Sequence, residues 1–274
     1  MQLFADPIHQ PFEFGERSSA VGALLLHGFS GTPAEMRHAG QAIANTGIFV
    51  KGMLLPGFGS DIENLKHQTD ETWLNACRKV WLEFSQQFDC TILVGFSMGG
   101  ALATVLATET APDHLILMAP FIRFESRLAD IALPALQYVK PTISPFEFGD
   151  ISDPDFRDSL LEMIPDLDLD NSDTINRLKE EMVLPTKVLV CLRRLGRMAK
   201  AHGKRVSTKV TILQGKDDTV VLPELTQAFS QRFRAASQLD LHMLPNATHA
   251  FPKSAGAYQE VLTKAVADWL PEKV

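Results

Sequence analysis

The feature that most constrains this chain is the stretch TILVGFSMGGALATVLA, from Thr91 to Ala107. Its first four residues are β-branched or aliphatic and follow the turn-like Gln87, Phe88 and Asp89, the pattern of a short buried strand. From Met98 to Ala111 the composition shifts to Ala, Leu and Thr at helix-compatible spacing. Ser97 therefore stands in a strand-to-helix turn, with Gly95 and Gly99 two residues to either side. So sharp a turn needs glycines, because Cβ atoms there would collide with neighbouring backbone. The chain is committed to a strand-turn-helix unit that holds one hydroxyl, strained and unobstructed, at the end of a sheet strand.

The rest of the sequence supplies a sheet for that strand to join. Gly22 to Phe29 (GALLLHGF) reads as a buried strand. Thr32, Pro33, Ala34 and Glu35 match a capping box with proline at the first helical position, and Gly47 is placed to end that helix. A strand over Val50 to Leu55 and the glycine-rich PGFGSD follow. Trp73, Cys77, Val80, Trp81, Phe84 and Phe88 then form one stripe of an amphipathic helix, read as core rather than as a ligand box. Further strands are expected at Leu115 to Phe121, Lys209 to Gly215 and Leu239 to Leu244, with helices over Pro223 to Ala236 and Ser254 to Leu270. Strands alternating with helices predict an α/β fold, a mostly parallel, doubly wound sheet covered on both faces.

One segment breaks the alternation. Between Phe121 and Lys209 there is no convincing strand, only helical patterns at Leu128 to Val139, from Thr174, and near Thr186 to His202, around the Pro- and Phe-rich PTISPFEF and the acidic Asp150 to Asp173. An insertion this long inside a compact domain is usually functional. The expected organisation is a core of residues 1–121 and 206–274 and a helical cap, or lid, of residues 122–205.

Composition narrows the partners. A net charge of -7 without a basic cluster argues against nucleic acid, since phosphate contacts need concentrated Lys and Arg. The basic stretch Arg193 to Arg205 is interleaved with Leu195, Met198 and Ala199, as on a solvated helix face. Three scattered cysteines, Cys77, Cys90 and Cys191, suit neither a disulfide framework nor a metal knot. MQLFADPIHQPFEFGE lacks the basic start and apolar core of a signal peptide, and no run approaches the length of a membrane span. A cytoplasmic protein without stable membrane insertion is the expectation.

A serine hydroxyl is a weak nucleophile at neutral pH and needs a base in reach and an acid to orient that base. In doubly wound sheets such groups come from loops at the carboxyl ends of strands. The loop after KVTILQG offers Asp217 and Asp218, and the loop after LDLHMLP offers His249, the one histidine of eight that follows a late strand and precedes the final helix. Asp218 is preferred to Asp217 as the acid. Donors for a developing oxyanion are expected from the backbone N–H groups of Met98, at the start of its helix, and of Phe29, in HGFSGTP, with His27 and Gly28 shaping that loop. No metal or organic cofactor is needed for this chemistry.

With HGFSGTP, GFSMGG, GKDDTVV and NATHAF in that order along nearly the whole chain, the sequence resembles the α/β-hydrolase superfamily, and within it bacterial carboxylesterases and monoacylglycerol lipases. The resemblance implies Ser97 as nucleophile, Asp218 as acid, His249 as base, the Phe29 and Met98 amides as oxyanion hole, and a helical cap inserted after the sixth strand. It further implies a serine hydrolase cleaving carboxylic esters through an acyl-enzyme. Leu128, Ile131, Leu136, Phe146 and Phe148 are candidates to line an acyl pocket, which suggests small esters of short to medium acyl chains or monoacylglycerol, with packing of the cap on the sheet as the alternative reading of the same residues. The chain departs from these esterases where Gly57, Phe58 and Gly59 replace Gly-His-Gly, and PGFGSD also looks like carbon-carbon bond hydrolases. Carbon-carbon hydrolysis or perhydrolysis is thus the alternative within enzymes, and a small-molecule-binding protein on the same fold is the alternative outside them. Ser97 in place of an aspartate argues against haloalkane dehalogenases.

Overall fold

Seven strands form the main sheet in the order β1-β3-β2-β4-β5-β8-β9: β1 (Phe12–Phe14), β2 (Val21–Leu26), β3 (Phe49–Met53), β4 (Cys90–Phe96), β5 (His114–Met118), β8 (Lys209–Gly215) and β9 (Leu239–Leu244). The computed structural model describes residues 4, 6–144, 146, 150–152, 157, 160, 168–181 and 183–270. Short β1 pairs antiparallel with β3 at one edge, and every other pairing in this sheet is parallel. After β2 the chain moves outward to β3, then returns to lay β4 on the other side of β2 and continues to β9. The expected mostly parallel, doubly wound sheet is present, and its direction reverses between β2 and β4.

Parallel strands covered on both faces are near-continuous apolar runs, and β2 and β5 are buried at every position. The two-residue period still sorts side chains between faces. Ala23 and Leu25 of β2, Ile92, Val94 and Phe96 of β4, and Ile116 and Met118 of β5 share one core cluster. That cluster includes Ala39 and Ile43 of α1 (Arg37–Ala44) and Tyr258, Leu262 and Val266 of the C-terminal helix (Tyr258–Ala267). The aromatic stripe falls on α2 (Asp70–Ser85), which buries Trp73, Cys77, Trp81 and Phe84 and packs with α3 (Met98–Thr110), the helix of the Ser97 turn.

Three local expectations are corrected. The first helix opens with a 3-10 turn, Pro33–Met36, in which the Thr32 hydroxyl accepts the Ala34 amide. Glu35 does not close a capping box; its carboxylate turns inward to the buried Gly28 amide. Between Phe121 and Lys209 a two-stranded antiparallel sheet does occur, β6 (Thr142–Ile143) with β7 (Leu184–Pro185), too short for any period to register in sequence. Five strands of the main sheet, not six, precede the insertion, because only one short strand lies ahead of β2 among the described residues.

The chain divides into two compact units, Met1–Glu125 with Leu192–Val274, and Ser126–Cys191. In the second unit, α4 (Arg127–Val139) exposes Leu128, Ile131, Tyr138 and Val139 and buries Leu133. Phe146 packs against Leu160, Leu169 and Leu178 in that unit's own core, and Leu136 is half-buried. Phe148 lies outside the described residues.

Two predictions concern stability. A Cβ at Gly99 would run into the backbone carbonyl oxygens of Leu26 and His27, and rigid backbone cannot give way as a side-chain tip can. Gly99→Ala is therefore expected to destabilise the fold by about 1–3 kcal/mol in urea unfolding, and an unchanged midpoint refutes the close approach. Burial lowers His27 from 6.5 to about 4 and His114, bonded to Thr211 between β5 and β8, from 6.5 to about 3. Both imidazoles are neutral when folded and take up protons on unfolding, so stability is intact above pH 6.5 and falls as pH drops toward 4. The slope from each histidine is up to about 1.4 kcal/mol per pH unit. Urea midpoints that do not fall between pH 6.5 and 4.5 count against it.

Candidate active site

The site begins at the reversal of the sheet. Leu26 of β2 lies opposite Gly95 of β4 in the parallel register, so the loops leaving both strands emerge side by side. The chain leaves β4 through Ser97 at φ 49, ψ -114, a conformation that costs of order 1–3 kcal/mol for a non-glycine residue. Backbone bonds hold it there: the Ser97 amide donates to the Met118 carbonyl (2.9 Å), and the Ser97 carbonyl accepts from Gly100 (3.0 Å) and Phe121 (3.0 Å).

His249 and Asp218 come from the loops after β9 and β8. The Lys216 amide donates to the Leu244 carbonyl (2.9 Å) and the Asp217 amide to the Ala247 carbonyl (3.0 Å), tying the two loops together. His249 Nδ1 lies 2.8 Å from Asp218 Oδ2, and His249 Nε2 lies 3.1 Å from Ser97 Oγ, across 152 residues of sequence. An ionised carboxylate only accepts, so Nδ1 carries the ring proton and Nε2 is left to accept from the Ser97 hydroxyl. The imidazole ring also packs on Phe96, with centroids 5.0 Å apart.

Burial separates the two aspartates. Asp217 is exposed, whereas Asp218 is 2% exposed and receives four donors. Its Oδ1 accepts the amides of Val220 (2.9 Å) and Val221 (2.8 Å), and its Oδ2 accepts His249 and the Gln214 side-chain amide (2.8 Å). Gln214 is in turn fixed by the Thr226 hydroxyl, which donates to its Oε1 at 2.6 Å. No sequence signal marks Gln214, since within KVTILQG it looks like the polar end of a strand.

The loop after β2 is built on His27. Its Nδ1 donates to the Gly28 carbonyl (2.8 Å), and its Nε2 accepts the Leu55 amide (3.0 Å), joining this loop to the one after β3. Phe58 is fully buried, edge-on to His27 and Phe29 and stacked on Trp73 at 5.8 Å. Trp73 Nε1 donates to the Pro56 carbonyl (3.0 Å). The Phe29 loop thus rests on an aromatic floor. Among the described residues, the Phe29 and Met98 amides have no hydrogen-bond acceptor. No group of three or more His, Cys, Asp or Glu side chains suited to a metal ion occurs among the described residues.

The family described as serine aminopeptidase, S33, matches residues 20–253. The thermostable monoacylglycerol lipase of Bacillus sp. (strain H-257) is 30% identical over 210 residues, 77% of this chain and 75% of that protein. A solved structure from LipS and LipT, two metagenome-derived lipolytic enzymes, superposes with a TM-score of 0.74 at 20% identity, covering 96% of this chain and 98% of that one. A soluble variant of monoglyceride lipase from Saccharomyces cerevisiae, in complex with a substrate analog, has a TM-score of 0.71 at 14% identity and full coverage of both chains. No helix among the described residues is long and apolar enough to cross a membrane. By its sequence match and its sheet, the chain belongs to the S33 serine hydrolase family of α/β-hydrolases, alongside lipases and esterases.

Proposed function

We propose that the protein hydrolyses small carboxylic esters with an apolar acyl group, by way of an acyl-enzyme on Ser97. The observation that carries the reading is the unbroken hydrogen-bonded path from Ser97 Oγ through His249 to Asp218. In this reading His249 takes the Ser97 proton as the hydroxyl attacks the ester carbonyl, then returns it to the leaving alcohol. Asp218 keeps Nδ1 protonated and stabilises the imidazolium. The Phe29 and Met98 amides receive the oxyanion, each such donor being worth about 3 kcal/mol in comparable sites. Water drawn by the same imidazole then releases the acid.

Likeness to the Bacillus monoacylglycerol lipase supports monoacylglycerol as a substrate, and the apolar side chains of the insertion support short to medium acyl chains. We propose the insertion, residues 122–205, as the helical cap that sets acyl preference; the exposed Leu128 and Ile131 support this. The aminopeptidase description of the family favours a second reading, an amino-terminal aminoacyl substrate.

A panel of p-nitrophenyl esters of increasing chain length, a monoacylglycerol, an aminoacyl p-nitroanilide and a ring-cleavage dienoate separates these readings. Ester turnover well above the other two chemistries is expected. Ser97→Ala should lose about 10⁴- to 10⁶-fold in kcat without loss of fold, and should escape labelling by a fluorophosphonate that marks the wild type. A wild type that is neither labelled nor active points instead to a binding protein. Asp218→Asn should cost about 10⁴-fold in kcat, by release of the wrong imidazole tautomer, while Asp217→Asn leaves kcat unchanged. Equal losses in the two variants contradict the assignment of the acid.

A further inference from the structure

Glu35 is a nearly buried carboxylate that the proposed reaction does not use, and it lies between two loops that the reaction does use. Its Oε2 accepts the Gly28 amide at 3.0 Å, one residue before Phe29. Its Oε1 lies 3.4 Å from Lys253 Nζ, at the end of the turn Phe251–Lys253 that follows His249. The surrounding backbone makes room for this side chain. A Cβ at Gly31 would collide with the carboxylate, and one at Gly28 would stand 3.3 Å from Oε2. Between them, Ser30 takes φ 59, so the loop bends sharply around the carboxylate.

We infer that Glu35 is a positioning residue for the ester reaction: one carboxylate clamps the loop of the Phe29 oxyanion donor to the loop of the His249 base, and so fixes the spacing at which both meet the reacting carbonyl. The inference rests on the ester-hydrolase reading. The physical need for such a clamp is clear. The two loops leave different strands on opposite sides of β4, in the order β2-β4-β5-β8-β9, and backbone pairing within the sheet does not reach their tips. Two groups of a buried carboxylate serve here as two separate acceptors, one for a neutral amide and one for a cation. Burial raises the carboxyl above its ordinary range, and Lys253, then the Gly28 amide, oppose that rise. The half-buried Lys253 is thereby part of the clamp.

The role differs from plain structural support in what it predicts. A displaced oxyanion donor weakens transition-state binding more than substrate binding. Glu35→Ala, folded by circular dichroism, should lower kcat on a p-nitrophenyl ester by about 10- to 100-fold with KM little changed. Affinity for a trifluoromethyl ketone, whose adduct with the serine carries the oxyanion, should fall by a similar factor. Glu35→Gln keeps an oxygen for the Gly28 amide but loses the charge facing Lys253, so it should lie between wild type and Glu35→Ala in both measurements. If Glu35→Ala does not fold, Glu35→Gln decides alone, and wild-type kcat and inhibitor affinity in that variant overturn the inference. Wild-type values in both variants do the same. A wild type inactive on every ester removes the reading beneath it, whereas an active wild type with insensitive Glu35 variants removes the clamp alone.

Discussion

The parallel pairing of β2 with β4 is the constraint from which the site follows. It places Leu26 against Gly95, and each strand leaves the sheet within two residues of that pair. The sheet changes direction there, so no crossover helix covers the crevice between the two exits. One exit carries Gly28 and Phe29, the other Ser97 and Met98, and the register alone brings the two amide-bearing loops side by side. A slip of one residue would exchange the two buried faces of β2 and set each side chain against the wrong neighbours, so the hydrophobic core and the placement of the loops are specified by the same pairing. The approach is tight enough that Gly99 packs directly on the Leu26 and His27 carbonyls, which couples the start of α3 to the end of β2.

How much of this was legible in the sequence depended on whether the signal was local. The Ser97 turn was legible because strand, glycines and helix are contiguous, and β8 and β9 match their expected bounds because each apolar run is closed by a turn. Asp218 and His249 were legible as loop residues at strand ends, and the structure brings them to Ser97. Glu35 was misread because Thr-Pro-Ala-Glu satisfies a local capping pattern, while the winning partner, the Gly28 amide, is a tertiary one. Gln214 was invisible for the same reason: its partners Asp218, Val221 and Thr226 are set by how the chain folds back beyond β8. The pairing of Thr142–Ile143 with Leu184–Pro185 joins residues too far apart, and strands too short, for any periodic pattern.

Phe58 shows how a departure from a related pattern acquires a physical meaning. A histidine at this position would bring a polar ring into a pocket lined by His27, Phe29 and Trp73, and it would need its own partners there. The phenyl ring needs none. It stacks on Trp73 and meets Phe29 edge-on, so the segment after β3 supports the Phe29 loop through packing. A polar link between the two segments is the Leu55 amide to His27 Nε2, and burial keeps that imidazole neutral and able to accept it.

Asp218 and Glu35 illustrate two uses of a buried carboxylate around one histidine. A carboxylate has about four lone-pair positions, and Asp218 meets four donors, so it is saturated and cannot rotate toward any other group. Three of those donors belong to its own strand and loop, which leaves a single outward bond, to His249, whose direction the other three determine. Glu35 is the reverse case, with each oxygen spent on a different segment and neither on the imidazole. The first arrangement orients a ring, and the second spaces two loops. Any charge that the ring came to carry would change what Asp218 faces but none of its three other bonds, so the donors that hold the carboxylate are in place beforehand.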